Sequence, residues 1–249
     1  MVIEQYTITN KYNFPQPTID TILPQRFLEQ SLYSLKHVQH QHIELTTENF
    51  QQFRVTEQYP SNLQLKPEPI PIKPDHQETL VAAVDTSTIK IGETSTGMII
   101  AIRGATAWKQ NRSYKYTRLG PFIFHITEEN KNQLYNTLEH AYFSTTCNSS
   151  RQVAPNIMQM PTRLASLLER WMQTMLAKTI NHGVLLFDGS LTSGTIDTPV
   201  QRLKEILSYS RRNQNTVLAF SKATTLRANG ILITEQLPNY DPPYLLETT

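Results

Sequence analysis

Two short apolar runs in this sequence each end in an aspartate that is followed by small residues: Leu80-Val-Ala-Ala-Val-Asp85-Thr86-Ser87 and Val184-Leu-Leu-Phe-Asp188-Gly189-Ser190. A buried strand that ends in a carboxylate brings a hard anionic oxygen to the edge of the core, and two such strands can point at one place. Converging carboxylates need a cation, and oxygen-only sites suit Mg²⁺ or Mn²⁺ better than zinc. The pattern therefore predicts metal-assisted hydrolysis of phosphodiesters.

Each aspartate can also have a purely structural role. Aspartate also terminates strands and caps turns through its side-chain oxygen, so a single apolar run with a terminal Asp indicates little. The pair is more informative, because Asp85 and Asp188 follow two separate strands in a similar local pattern. We expect both to be metal ligands.

The first third of the chain differs in composition from the rest. Residues 1–78 are rich in Gln, Pro and His, with one predicted helix over about 24–40, and Pro67-Glu-Pro-Ile-Pro-Ile-Lys-Pro74 enforces an extended connector. The histidines His37, His40 and His42 lack the fourth ligand of a zinc site and are expected to face solvent. We predict an N-terminal arm with its connector over 1–78 and a main domain over 79–249.

From Leu80 onward the pattern alternates between strands and helices, which predicts an α/β fold. Short connections between the first three strands imply an antiparallel meander. The elements expected in order are strands at 80–85, 97–105 and 120–127, helices at 127–143 and 161–181, a strand at 184–188, a helix at 198–213, a strand at 217–222 and a short strand at 231–235.

Glu169 is a third acidic candidate, on the predicted helix over 161–181. At 100° per residue it lies at the margin of the apolar stripe rather than on the solvent face. Its alternative role is a stripe-edge glutamate that pairs with Arg163 or Arg170.

Basic and aromatic residues are interleaved between the second and third predicted strands: Lys109, Arg112, Lys115 and Arg118 with Trp108, Tyr114 and Tyr116. Single-stranded nucleic acids are bound by phosphate neutralisation and base stacking, which this combination supplies. The alternative is an ordinary solvated face. Lys222, at the end of the last long strand, can hold a substrate phosphate as a point charge or can be only a strand-end cation.

Composition limits the classes of protein to which the chain can belong. The 249 residues carry a net charge of +2, so any contact with nucleic acid must use local patches, and Cys147 is the only cysteine. The N-terminus lacks the features of a signal peptide, and no apolar run approaches bilayer length. We expect a soluble cytoplasmic protein with no membrane contact.

The order of elements, with Asp on the first strand, Glu on a helix and Asp on the fourth strand, resembles the ribonuclease H-like fold. Within that fold the chain resembles the NurA nucleases, which partner HerA-type DNA translocases. The matching stretches are Ala83-Val84-Asp85-Thr86-Ser87, Arg163 to Glu169, Leu185-Leu186-Phe187-Asp188-Gly189-Ser190-Leu191 and Phe220-Ser221-Lys222. Thr86 departs from the family pattern, which has glycine there.

The resemblance implies a Mn²⁺- or Mg²⁺-dependent nuclease that processes DNA ends in DNA repair, with 5′-to-3′ exonuclease and single-strand endonuclease activity. It also implies a homodimer that receives DNA from a HerA-like hexameric translocase. Asp85, Glu169 and Asp188 would bind the metal, Lys222 would join them in catalysis, and Arg163 would help to bind DNA. The family commonly has a further site residue, His or Asp, in a C-terminal segment that this chain does not match.

Two alternatives remain at the level of sequence. The chain can be a NurA-like module that docks on a translocase or guides DNA without cutting it. It can also have another ribonuclease H-like activity, such as RNA-strand cleavage or transposition, which would use the same acids on a different substrate.

Overall fold

The structure is a computed structural model of the chain. It describes residues 22–38, 41–46, 68–74, 78–111, 113–143, 154–189, 191, 200–220, 227–228, 230–237, 241 and 243–247. Lys222 and Arg112 lie outside the described residues.

The chain contains long strands in its first half and alternating helices and strands after them. The described helices are α1 (Ile22–Leu35), α2 (Lys131–Phe143), α3 (Met160–Thr179) and α4 (Val200–Arg212), with 3₁₀ turns at Lys36–Val38 and Ile233–Glu235. The described strands are β1 (Glu44–Leu45), β2 (Ile70–Pro71), β3 (Leu80–Thr94), β4 (Gly97–Gln110), β5 (Ser113–Thr127), β6 (Gly183–Asp188), β7 (Thr216–Phe220), β8 (Arg227–Ala228), β9 (Ile231–Leu232) and β10 (Tyr244–Leu245).

A mixed sheet organises most of these elements. Its order is β5-β4-β3-β6-β7, and β1 also pairs with β3 to make six strands. Strands β3, β4 and β5 form an antiparallel meander, whereas β6 runs parallel to β3. Strands β6 and β7 begin at the same edge, because the Asn215 side chain accepts a hydrogen bond from the Gly183 amide and donates one to the Ile180 carbonyl. The α/β class predicted from the sequence is confirmed.

The helices form a layer whose centre is α3. This helix packs on β3, β4 and β6, while α2 and α4 pack against α3. Its apolar side chains recur at helical spacing, and Leu164, Leu168 and Leu176 are fully or almost fully buried in the core. Pro161 lies in its first turn, where the missing amide hydrogen costs no helical hydrogen bond.

Helix α1 belongs to the same compact unit as the sheet. Phe27 of α1 packs against the rings of Phe122 and Phe124 on β5, with ring centroids 5.3 and 5.8 Å away. The Ser31 hydroxyl donates a 2.6 Å hydrogen bond to the Ile123 carbonyl and accepts one from the Ile123 amide. These bonds satisfy backbone groups of the edge strand β5, which protects that edge from pairing with another chain.

Contacts divide the chain into two units. The first is Met1–Gln52 with Thr79–Ala219, and the second is Phe53–Glu78 with Phe220–Thr249. In the second unit, β2 pairs with β10 and β8 pairs with β9, both antiparallel. Within the part of the chain that the structure describes, no helix has the length and apolar character needed to cross a bilayer.

The strands of the meander are longer than their apolar runs predict. Strand β3 continues from Leu80 through Asp85 to Thr94, and the basic aromatic segment is divided between β4 and β5. The reason is that one face of these strands is polar or exposed, so only part of each strand reads as an apolar run. Asp85 therefore lies inside a strand, whereas Asp188 is the last residue of β6.

Candidate functional site: a carboxylate pair on the open face of the sheet

Side chains on β3 alternate between the core and the opposite face of the sheet. Ala82 and Val84 are buried, whereas Asp85, Ser87 and Ile89 are exposed. This is the alternation of a strand covered on one side only. We use the name open face for the side of β3, β4, β5 and β6 that carries Asp85, away from α3.

Asp85 and Asp188 are neighbours on this open face. Val84 pairs with Phe187 in the parallel ladder, so Asp85 and Asp188 are the next residues along the two strands. Because Val84 and Phe187 are buried in the core, the following side chains both point to the open face. Adjacent strands are about 4.8 Å apart, so two acidic side chains from separate parts of the chain lie side by side.

The chain turns directly after Asp188. Gly189 has φ of +93°, a conformation that side chains with a Cβ rarely adopt, so glycine suits this position. Farther along β3, on the edge where β6 pairs, the next partner strand is β1, which pairs with Gly92 and Glu93. Among the described residues, no strand pairs with the edge of β3 between Asp85 and these pairs.

Glu169 lies beside Thr86 on the helical side of β3. Its Oε2 accepts a 3.1 Å hydrogen bond from the Thr86 hydroxyl, and its Oε1 accepts a 3.0 Å hydrogen bond from the Gln173 amide. Gln173 is fully buried and accepts a 2.7 Å hydrogen bond from Arg170. Thr86 therefore links β3 to the glutamate of α3.

The pKa of Glu169 is raised above its ordinary value. Burial is the largest cause, and the negative charges of Asp85 and Asp188 raise this pKa further. The Arg170 guanidinium and the hydrogen bond from Thr86 act in the opposite direction. The effect of both aspartates on Glu169 indicates that the three acids share one electrostatic environment, although Glu169 approaches from the other face of the sheet.

The donor chemistry of the aspartate pair fits a hard divalent cation. Carboxylate oxygens are the ligands that Mg²⁺ and Mn²⁺ prefer, and a cation would offset the repulsion between two neighbouring negative charges. Glu169 is directed at Thr86 and Gln173. Across the described ranges, no three His, Cys, Asp or Glu side chains are grouped closely enough to hold a metal ion.

The β4–β5 hairpin separates the basic aromatic segment into two faces. Lys109 pairs with Tyr114, and Arg118 pairs with Ala105, the residue that also pairs with Asp85, so these side chains share the open face. Trp108 pairs with Lys115 on the other face, where Trp108 is 4% exposed and belongs to the core. The interleaved residues therefore divide between two faces, with Lys109, Tyr114, Tyr116 and Arg118 on the open face and Trp108 and Lys115 on the other.

Arg163, the DNA-binding residue predicted from the helix, lies on α3 and not on the open face that carries the aspartate pair. It precedes Glu169 by six residues on α3, which is about 9 Å along the axis and 240° around it. Arg103, which was not predicted, pairs with Ser87 and is exposed on the open face, one row from Asp85. Its signal in the sequence is a single cation at an alternating position after the apolar run of β4.

No protein-family model matches the chain, and neither the curated proteins nor the solved structures contain a significant match. The described class is an α/β protein with a mixed sheet, one helical layer and a carboxylate pair at adjacent parallel strands. The functional assignment therefore depends on the arrangement of the described residues.

Proposed function

We propose that the protein is a divalent-metal-dependent deoxyribonuclease of ribonuclease H-like architecture. The observation that carries the proposal is the pair formed by Asp85 and Asp188, which are neighbours on one face of two parallel strands. The order of three antiparallel strands, helices, a parallel strand, a helix and a further strand supports the architecture. The substrate proposed is DNA, at its ends or single-stranded, processed in DNA repair.

Asp85 and Asp188 would hold Mn²⁺ or Mg²⁺ through their carboxylates. When bound, such an ion lowers the pKa of coordinated water and neutralises charge that develops on the phosphoryl oxygens. Glu169 exchanges a proton closer to neutral pH than an ordinary glutamate does, because its pKa is raised, which suits general acid–base work. Thr86 and Gln173 orient its two oxygens.

Cations supply the second part of the proposed mechanism. Arg118 and Lys109 share the open face with the acids and can neutralise phosphates of the bound strand. The NurA resemblance adds Lys222 as a catalytic cation and Arg163 as a DNA-binding one, and the basic aromatic stretch of the sequence adds Arg112. It also adds two partners, a second copy of this chain and a HerA-like hexameric translocase.

The test is the degradation of labelled DNA and RNA single strands with and without Mn²⁺. Asp188→Asn keeps the size of the side chain and removes its charge. We expect this change to lower the Mn²⁺-dependent rate by at least about a hundredfold, since losing even indirect support of a metal ligand costs 10–100-fold. Asp85→Asn should have the same effect. The RNA substrate separates a deoxyribonuclease from a ribonuclease of the same fold.

The matched control is Glu129→Gln, which removes an exposed carboxylate from the turn before α2 in the same unit. This variant should cut at the parental rate. Parental rates for both Asp188→Asn and Asp85→Asn would refute the assignment of the metal site.

A non-catalytic module that guides DNA or docks on a translocase is the second candidate. The observation that favours it is that Thr86 and Gln173 hold the Glu169 carboxylate, while the described residues contain no group of three acids close enough to hold a metal ion. Calorimetric titration with Mn²⁺ separates the two functions. The nuclease predicts binding that disappears in Asp85→Asn, whereas the module predicts no Mn²⁺ binding that depends on these carboxylates.

A further inference from the structure

The sheet register arranges the open face in three successive rows, two residues apart along each strand. Written from β5 through β4 and β3 to β6, the rows are Tyr114, Lys109, Val81 and Val184; Tyr116, Ala107, Ala83 and Leu186; and Arg118, Ala105, Asp85 and Asp188. Aromatic and basic side chains thus occupy one side of the face, and the two carboxylates occupy the other.

Each tyrosine on this face has a cation beside it. Tyr114 is 79% exposed and Tyr116 is 54% exposed. The Lys109 Nζ lies 5.9 Å from the ring centroid of Tyr114, and the Arg118 guanidinium carbon lies 4.9 Å from that of Tyr116. An exposed ring with an adjacent cation offers a stacking surface for a base and a partner for its phosphate.

Small side chains cover the floor between the tyrosines and the acids. Ala107, Ala105 and Ala83 occupy the positions between Tyr116 and Asp85. Two strand spacings and one row separate Tyr116 from Asp85, which amounts to about 12 Å. A span of this length accommodates a few nucleotides, and methyl groups leave room for a sugar-phosphate backbone to lie close to the sheet.

We propose that the open face is a binding track for a single strand of nucleic acid, in which Tyr116 and Tyr114 stack on bases and lead the strand to Asp85 and Asp188. The track deepens the proposed function and rests on it for the chemistry at its acidic end. A single strand fits because its bases are free to stack on protein rings, whereas the bases of a duplex are stacked inside it. The contribution of a basic residue to binding then depends on the face of the β4–β5 hairpin on which it lies, and not on its place in the basic run of the sequence.

The experiment measures the affinity of the full chain for a fluorescent oligothymidylate by anisotropy, in EDTA so that no cutting occurs. Tyr116→Ala should weaken binding by about 5- to 150-fold, the range that corresponds to the loss of one stacked base. Tyr116→Phe keeps the ring and should bind as the parent does. An oligonucleotide with abasic positions should bind the parent and Tyr116→Ala with similar affinity.

Two cations of the same hairpin supply the matched pair. Arg118→Ala on the open face should weaken binding and reduce its salt dependence, while Lys115→Ala on the opposite face should change neither. Three results would overturn the binding track. These are equal losses of affinity in Arg118→Ala and Lys115→Ala, no loss of affinity in Tyr116→Ala, and no binding by the parent protein. The proposal would also be overturned if Tyr116→Ala changed the oligomeric state of the protein and left its affinity for the oligonucleotide unchanged. The open face would then contact a second copy of the chain rather than nucleic acid.

Failure of the track is distinguishable from failure of the nuclease. Asp188→Asn should retain the binding measured in EDTA. If the parent binds as expected but does not cut, the binding track is supported and the nuclease activity is refuted. If the parent cuts but its binding does not depend on Tyr116, the nuclease activity is supported and the binding track is refuted.

Discussion

Glu169 is partly buried, accepts hydrogen bonds from Thr86 and Gln173, and lies in the field of two other carboxylates. Its raised pKa means that the folded protein binds this proton more tightly than the unfolded chain does. The free energy of unfolding therefore falls as the pH rises from the unfolded pKa of 4.5 through the raised folded value, and the loss is complete above it.

We predict that Glu169→Gln stabilises the protein at pH 8. Glutamine has nearly the same shape, and its Oε1 can accept from Gln173 while its Nε2 donates to the Thr86 hydroxyl, but it does not ionise. Each unit by which the pKa of Glu169 is raised corresponds to about 1.4 kcal/mol. Denaturant unfolding should show the gain at pH 8 and a much smaller difference at pH 4.

Glu129→Gln is the control for this comparison, because it removes an exposed carboxylate and should leave the unfolding free energy unchanged at both pH values. A Glu169→Gln protein that is less stable than the parent at pH 8 would contradict the prediction. It would mean that the hydrogen bonds to the ionised carboxylate outweigh its burial and the repulsion from the aspartates.

Sequence patterns can identify individual acids but not the directions of all side chains. Asp85 and Asp188 are recognisable because each follows an apolar run. The separation of Lys115 from Arg118 depends on the register of the β4–β5 hairpin, in which Gln110 pairs with Ser113 and Asn111 has φ of 49°. A shift of one residue would exchange the two faces, so composition alone could not assign them.

At the scale of elements, α3 packs tightly against β4 at Gly104. A Cβ built there would lie 2.5 Å from the Met172 sulfur and 3.3 Å from a Leu168 methyl carbon. The lack of a side chain on β4 thus lets the helix pack closely on β3 and β4. This contact holds the helix that carries Glu169.

We predict that Gly104→Ala destabilises the protein by about 1–3 kcal/mol, because the added methyl overpacks the interface. The melting temperature should fall by roughly 2–4 °C for each kcal/mol. In a Met172→Ala background the same change should cost less, since the closest contact is gone. Thermal unfolding of the parent, the two single variants and the double variant measures this coupling.

Ala107→Ser is the matched control on the same strand, because its side chain is on the open face and exposed. It should leave the melting temperature nearly unchanged. A cost of Gly104→Ala that is the same with and without Met172 would show that the contact does not limit the packing of α3.

The elements with the strongest periodicity were predictable. The helix expected over 161–181 is Met160–Thr179, and the strand expected at 184–188 is Gly183–Asp188. The meander strands were predicted too short, because their exposed ends carry no apolar run. The helix expected over 24–40 gives way to a 3₁₀ turn after Leu35. The helix expected over 127–143 begins at Lys131, because Asn130 and Thr127 form a hydrogen-bonded turn before it.

At the scale of the whole molecule, composition suggested an arm over 1–78, but the described α1 packs into the core beside β5. Its contacts join residues that are far apart in the sequence, such as Ser31 and Ile123. Such long-range packing is not visible in local composition. The homodimer and the translocase remain predictions from the NurA resemblance.

We predict that Mn²⁺ raises the melting temperature of the protein. A ligand at a hundred times its dissociation constant stabilises the folded state by about 2.7 kcal/mol. For a domain of this size that corresponds to roughly 5–11 °C. EDTA should reverse the shift, and scanning calorimetry measures it.

Asp85→Asn should abolish this shift, whereas Glu129→Gln should keep it. A shift that persists in both Asp85→Asn and Asp188→Asn would locate Mn²⁺ elsewhere in the molecule. The measurement is independent of cutting, so it tests the metal site even if the substrate is not DNA.

The one-sided cover of the sheet also has a consequence for protein engineering. Residues on the helical side determine whether the chain folds, while Ala83, Ala105 and Ala107 make little contribution to the core. A combinatorial library at these three alanines could therefore vary the surface beside the acids with little effect on folding. New specificities could then be selected on a scaffold whose interior sequence stays constant.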